Sequence, residues 1–168
     1  MQLDARSSKD EFRRRERTVG EIVTLIGLLM LLAVAALAGG VMMMTDPTGT
    51  ALGIDTTLLA EVPWVSDYLV PGVLLTVLLG VVPLVVTGGL LWRFPLPGVA
   101  AVERRLGYQW PLLASVTQGF GVVVWIGLQL LWLPETATIQ WVTLTIVVLI
   151  MGFSLLPAVR DRYRVRCR

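Results

Sequence analysis

The sequence predicts an all-α protein, a four-helix transmembrane bundle, and three observations carry that prediction. It has four apolar stretches of membrane-spanning length, none of them holds a charged residue, and every basic residue falls on one side of their alternation. Of the 168 residues 55% are hydrophobic and only 15% charged, with a mean hydropathy of +0.76. Soluble domains carry about 25% charged residues. So little polar surface cannot cover this much apolar side chain, and lipid has to be part of the solvent.

The N-terminal segment, residues 1–21, is charged and mixed in sign. Asp10 and Glu11 stand four and three residues before Arg14, at ion-pair spacing on a helix. The segment is expected to form a short helix along the membrane surface. Its basic cluster would also suit anionic lipid, although Asp10, Glu11 and Glu16 dilute it.

Residues 22–44 form the first stretch. Ala36-Leu37-Ala38 before Gly39 imitates a secretory cleavage site. The apolar run continues through Val41 to Met44, too long for a signal core, so a retained anchor is expected. Ala35 with Gly39, and Ala36 with Gly40, have the small-x-x-x-small spacing that lets a second helix approach closely.

An outer loop follows. Asp46-Pro47-Thr48-Gly49 is a type I turn sequence, with Asp first, Pro second and Gly fourth. Asp55 can cap a short helix over Thr56 to Glu61 that stops before Pro63. Ser66 or Asp67 can cap the second stretch, residues 69–92, with Pro71 tolerated in its first turn. Pro83 removes a backbone hydrogen bond and should disturb that helix near Leu79-Gly80.

The link after it carries Pro95 and Pro97, then Val99 to Leu106, which reads as a turn and a short interfacial helix. Trp92 and Trp110 bracket this link, while Trp64, Trp132 and Trp141 mark the other interface. The third stretch, residues 110–133, is the most polar. Gln118, Trp125, Gln129 and Trp132 share one helical face. An amide in hydrocarbon needs a partner, so this face should turn towards other helices. Thr76, Thr87, Thr143, Thr145 and Ser154 are the available partners. The face serves either as interhelical glue or as a ligand pocket built from Gln118, Trp125 and Gln129. The fourth stretch, residues 138–156, completes a membrane domain over 22–158, and 159–168 is an Arg-rich tail. Each stretch is near the ~20 residues that span ~30 Å of hydrocarbon.

Orientation follows from charge. All 14 Lys and Arg lie in the N-terminal segment, the 93–109 link and the tail. The other two links carry acids alone, namely Asp46, Asp55, Glu61, Asp67 and Glu135. The positive-inside rule then places both termini in the cytoplasm and the chain in the plasma membrane as a multi-pass protein.

Several chemistries lack their residues. No intramembrane carboxylate, Lys or His is present for ion-coupled transport. Without His, and with Cys167 alone, there is no Cys pair for thiol oxidation, no haem or typical zinc ligand set, and no His-activated nucleophile. The outer acids, at spacings that match no ligand loop, are explained by turns and caps. The sequence therefore predicts no catalytic residue, no metal site and no cofactor. Expected partners are membrane lipids and another membrane protein or a second copy of the chain, with no nucleic acid.

Asp46-Pro47-Thr48-Gly49, Leu52-Gly53, Pro63-Trp64, Asp67-Tyr68, Pro71-Gly72 and the Trp125-Ile126-x-x-Gln129 run together resemble an uncharacterised family of small four-span prokaryotic membrane proteins. The resemblance implies the four-helix layout and a structured outer loop in which Asp46, Pro47, Gly49, Trp64, Asp67, Tyr68 and Pro71 are structural. It implies no activity. The expected role is a non-catalytic accessory or scaffold subunit, with a small-molecule or lipid carrier or channel as the alternative.

Overall fold

The computed structural model describes residues 2–54, 59, 65–132 and 138–165, with the backbone alone for residues 2–10 and 132. In chain order the helices are α1 (Gln2–Thr45), α2 (Leu69–Leu74), a π-helical segment (Leu75–Val81), α3 (Val82–Trp92), α4 (Ala100–Leu106), α5 (Trp110–Trp132), α6 (Thr138–Leu155) and α7 (Pro157–Arg162). Four helical stretches are long and apolar enough to cross a membrane: Glu11–Thr45, Leu69–Trp92, Trp110–Leu131 and Thr138–Leu155. They are called spans 1 to 4 below. Span 2 joins α2, the π-helical segment and α3 without a break.

The spans form a ring. Span 1 packs on spans 2 and 4, and span 3 packs on α3 and on span 4. The core runs through Leu25, Leu29, Val86, Val122, Ile126, Val147 and Ile150. Glycines set the closest approach, between spans 1 and 2. A Cβ on Gly40 would overlap Thr76 Oγ1 and come within 2.8 Å of the Gly72 carbonyl oxygen. One on Gly72 would meet Met43 Cβ at 2.8 Å, and one on Gly80 would meet Leu37 at 2.7 Å. The Ala36/Gly40 spacing thus finds its partner helix. Dispersion contacts of this kind drive helix association where lipid is as apolar as the side chains.

Two expectations are corrected, and the course of the C-terminal segment is added. The N-terminal segment is not a separate surface helix but the start of α1, which runs unbroken for 44 residues. At 1.5 Å per residue that is ~66 Å, about twice the hydrocarbon thickness. No Gly or Pro breaks the run between Gln2 and Val19 to let the chain turn at the membrane surface. Next, the structure shows how the described part of the C-terminal segment, residues 157–165, is docked. Pro157 starts α7, and Val159 and Tyr163 are 0% and 2% exposed. Gln109 N donates to Tyr163 O (2.8 Å) and Val165 N to Gly107 O (2.9 Å), an antiparallel pairing of the tail with the link. Finally, Gln118 uses none of the expected hydroxyl partners. Ser154 instead meets Ser115 at 2.9 Å, both fully buried, while Thr76 Oγ1 and Thr87 Oγ1 are buried without a hydrogen-bond partner.

The end where the link and α7 meet is a compact basic cap. Tyr163 donates to the Leu90 carbonyl at 3.0 Å, satisfying one of the acceptors that a helix end leaves open. Burial pushes the Tyr163 phenol up, against the pull of Arg93 and Arg162. The Arg93 guanidinium lies 5.2 Å from the Tyr163 ring centre, and Arg160 lies 5.0 Å from that of Tyr108. α4 contributes Glu103, whose Oε1 accepts from Trp110 N at 2.7 Å and so caps span 3.

Candidate functional site: the seam between spans 2 and 3

Span 3 stays close to α3 at the basic end but parts from α2 and the π-helical segment further along. The gap is a cavity of ≈ 480 Å³, which Met43 of span 1 also lines. Gln118, Trp125 and Gln129, the three residues singled out on sequence, all line it, opposite Pro71, Leu75 and Leu78. They share it with Leu79 and Val122 of the core, and Trp125 is 36% exposed. Trp132, fourth on that face, has no described side chain.

Backbone geometry explains Gln118. Pro83 has no N–H, so it cannot serve a carbonyl one turn before it. The helix accommodates this in the π-helical segment, where the Val82 N–H bonds Val77 O. That leaves Leu78 O short at both ends of its choice. Its α-helical donor, Val82, is engaged elsewhere, and its π-helical donor would be Pro83. Gln118 Nε2 reaches across from span 3 and donates to Leu78 O at 3.1 Å. The disturbance expected near Leu79 and the partner expected for Gln118 are therefore one feature.

Among the described residues the cavity lining contains no titratable side chain. It offers two amides, one threonine hydroxyl and one indole in an apolar wall, which can hold an apolar body. A second cavity of ≈ 400 Å³ continues the seam towards the basic end, sharing Val82, Ala114 and Thr117 with the first.

The loop between spans 1 and 2 is held by Asp46. Its Oδ1 accepts from Thr48 N (3.2 Å) and the Thr48 hydroxyl, and its Oδ2 from the Thr50 hydroxyl (2.6 Å) and Ala51 N (2.7 Å). Those bonds, led by the hydroxyls of Thr48 and Thr50, hold its carboxyl down at about 2. Gly49 N donates to Asp46 O at 3.1 Å, closing the expected turn. Gly49 has φ 79, and a Cβ there would lie 2.8 Å from the buried Tyr68 ring, so glycine is required twice over. Tyr68 N donates to Pro47 O at 2.9 Å, and Asp67 Oδ1 accepts from Leu69 N at 3.0 Å at the start of span 2. Pro71 sits in the first turn of α2 and lines the cavity. Trp64, Asp55, Glu61 and the expected 56–61 helix lie outside the described residues, apart from Leu59, which is buried. No group of three or more His, Cys, Asp or Glu that could hold a metal occurs among the described residues.

Some residues that build these features were not picked out on sequence. Ser115, Glu103, Tyr108 and Tyr163 carried one legible signal between them: Val159 and Tyr163 are four residues apart in a segment otherwise full of arginine.

Fold and site together define a polytopic α-helical membrane protein with a lateral apolar seam. Comparison with protein-family models, curated proteins and solved structures gave no match.

Proposed function

We propose that the chain is a multi-pass protein of the plasma membrane, with both termini cytoplasmic, acting as a non-catalytic accessory or scaffold subunit. One observation supports the role: four polar side chains of the spans and their links hold backbone. Gln118 serves Leu78 O, Asp46 the loop, Asp67 the start of span 2, and Glu103 the start of span 3. The orientation rests on the one-sided distribution of Lys and Arg.

Native mass spectrometry of the chain extracted gently from its own membrane tests the role. A co-purifying protein in fixed ratio is the expected result, and a bare chain overturns it. Orientation is tested on Cys167, the single cysteine. A membrane-impermeant maleimide should leave it unlabelled in intact cells and label it after lysis. In a Cys167→Ser background, Thr50→Cys should label in intact cells.

The carrier reading is kept as a second proposal, because Gln118, Trp125 and Gln129 converge on one cavity. A stoichiometric small molecule bound to wild type, and lost from Gly121→Leu with Gln129→Leu, would favour it over the scaffold.

A further inference from the structure

Span 2 repeats itself. From Pro71 to Val86 the chain reads Pro-Gly-Val-Leu, Leu-Thr-Val-Leu, Leu-Gly-Val-Val, Pro-Leu-Val-Val, a period of four with valine third in every unit. Four is the wrong period for an α-helix. At 3.6 residues per turn, positions twelve apart overshoot three turns by about 120°, so Val73 and Val85 would stand on different faces. In the structure Val73, Val77, Val81 and Val85 are all exposed, at 42%, 46%, 44% and 43%. The row that α winding would continue from Val73 and Val77, through Gly80, Leu84 and Gly88, is instead buried or half-buried. The second place of the repeat lies on span 1. Gly72 packs on Met43, Thr76 on Gly40 and Gly80 on Leu37, a row of fours on span 2 against a row of threes on span 1.

The π-helical segment, Leu75–Val81, makes these rows straight. One turn closed from i to i+5 sets the second half of the span back by about one residue, or about 100°, which cancels most of the overshoot. This winding leaves one carbonyl to be served from outside the helix. The Val82 N–H goes to Val77 O and Pro83 has no N–H, so Leu78 O takes Gln118 Nε2 at 3.1 Å. In α winding the Val82 N–H would return to Leu78 O. The carbonyl facing Pro83 would then be that of Leu79, about 100° further round the helix and out of line with Gln118. The Gln118 amide therefore stabilises the π winding and not the α winding.

We propose that span 2 has two windings and that the Gln118 amide is the latch on the wide one. Released, the segment closes to α and the two halves of span 2 turn against each other by about 100°, so that Gly72 and Gly80 no longer both lie on span 1. The unserved carbonyl passes from Leu78 to Leu79, so the released form is still the less stable. Gln118 also lines the larger cavity, which couples the wall of that cavity to the contact with span 1 through one hydrogen bond. The inference concerns the winding of span 2 and rests on neither the accessory nor the carrier role.

The test places spin labels at Val73→Cys and Val85→Cys in a Cys167→Ser background and reads the distance between them by electron paramagnetic resonance. The full chain is used, in lipid nanodiscs. Both sites are exposed and they flank the π-helical segment. A pair within one span is blind to spans moving apart as bodies. With Gln118 intact the labels should give the short distance of two groups on one face. Gln118→Leu should lengthen it by roughly 4 Å, as the labels pass to opposite sides of a helix about 10 Å across. Gln118→Asn keeps the amide but withdraws it by one methylene, and should do the same. Gln129→Leu alters the same cavity without touching Leu78 O, and should leave the distance unchanged. Each variant is first shown to melt cooperatively. A distance that stays short in both Gln118 variants overturns the proposal, because the π winding then needs no latch. So does an equal lengthening in Gln129→Leu, which would make the change a response to the shape of the cavity. A long distance with Gln118 intact overturns it as well.

Discussion

Span 2 takes part in two seams that differ in kind. Against span 1 it presents Gly72 and Gly80, and the backbones approach until a single added carbon would strike Thr76, Met43 or Leu37. Against span 3 it presents leucines, valines and a widened helical turn, and the gap holds ≈ 480 Å³. Among the described residues one direct hydrogen bond, Gln118 to Leu78 O, crosses that gap. The same helix is therefore fixed on one side by shape and tethered on the other by a polar contact. In lipid, where apolar burial gives no preference for helix over solvent, close packing is what makes a seam tight. Small residues on both partners supply it between spans 1 and 2. Between spans 2 and 3, Gly121 faces nothing within 4 Å, and its smallness leaves space instead.

The largest expected effect comes from breaking the closed seam. Gly40→Val should drive spans 1 and 2 apart, because the new side chain meets Thr76 Oγ1 and the Gly72 carbonyl together. Overpacking costs about 1–3 kcal/mol where side chains can yield, and backbone on the far side makes the upper end or more the expectation. Thermal unfolding in detergent should show a large drop in midpoint. An unchanged midpoint would mean that the two spans are not held by this contact.

Next comes the tether. Gln118→Leu removes the donor to Leu78 O and leaves a carbonyl that neither Val82 nor Pro83 can serve. Interhelical hydrogen bonds in membranes are worth ~0.6 kcal/mol on average and up to about 1.7, and the orphaned carbonyl puts this one near the upper figure. Hydrogen exchange should quicken in the π-helical segment. Gln129→Leu, on the same cavity but with no hydrogen bond to backbone, should change neither quantity. If the two variants behave alike, the link between Pro83 and Gln118 is wrong.

This pairing also shows what the sequence could and could not disclose. Four spans were legible because uninterrupted apolar runs leave no other fold, and the loop around Asp46 was legible because turn and cap chemistry is local. The face of Gln118, Trp125 and Gln129 was legible as a face. Its partner was not, because the acceptor is a backbone carbonyl created by a proline on another helix, and carbonyls leave no mark in a sequence. The docking of Tyr163 under Leu90 was hidden for a related reason. Its neighbours are arginines, and composition reads such a segment as solvated tail.

The loop between spans 1 and 2 extends the closed seam past the helix ends, since the Pro47–Tyr68 bond ties span 1's exit to span 2's entry. Asp46 makes that junction pH-dependent. Its carboxyl is held at about 2, below its ordinary 3.8, so it favours the ordered loop above roughly pH 4, and that contribution is lost as pH falls towards 2. Proteolytic cleavage in the loop should therefore rise in acid, and Asp46→Asn should be more easily cleaved at neutral pH and show less of the acid response. A loop equally resistant at pH 7 and pH 2.5, assayed with an acid-active protease, would contradict the role given to this carboxylate.

The smallest effect is the most discriminating for the open seam. Gly121→Ala adds one methyl group on the seam side of span 3, at a site with no heavy atom within 4 Å to receive it. In a closed seam the same change would wedge two helices apart, as at Gly40. Here the added carbon meets only space or lipid, while alanine is the better helix former by about 0.8–1 kcal/mol in water. The melting midpoint should stay level or rise slightly. A fall comparable to that of Gly40→Val would mean that spans 2 and 3 close on each other in the bilayer, and the cavity would then belong to a conformation the protein leaves when it is embedded.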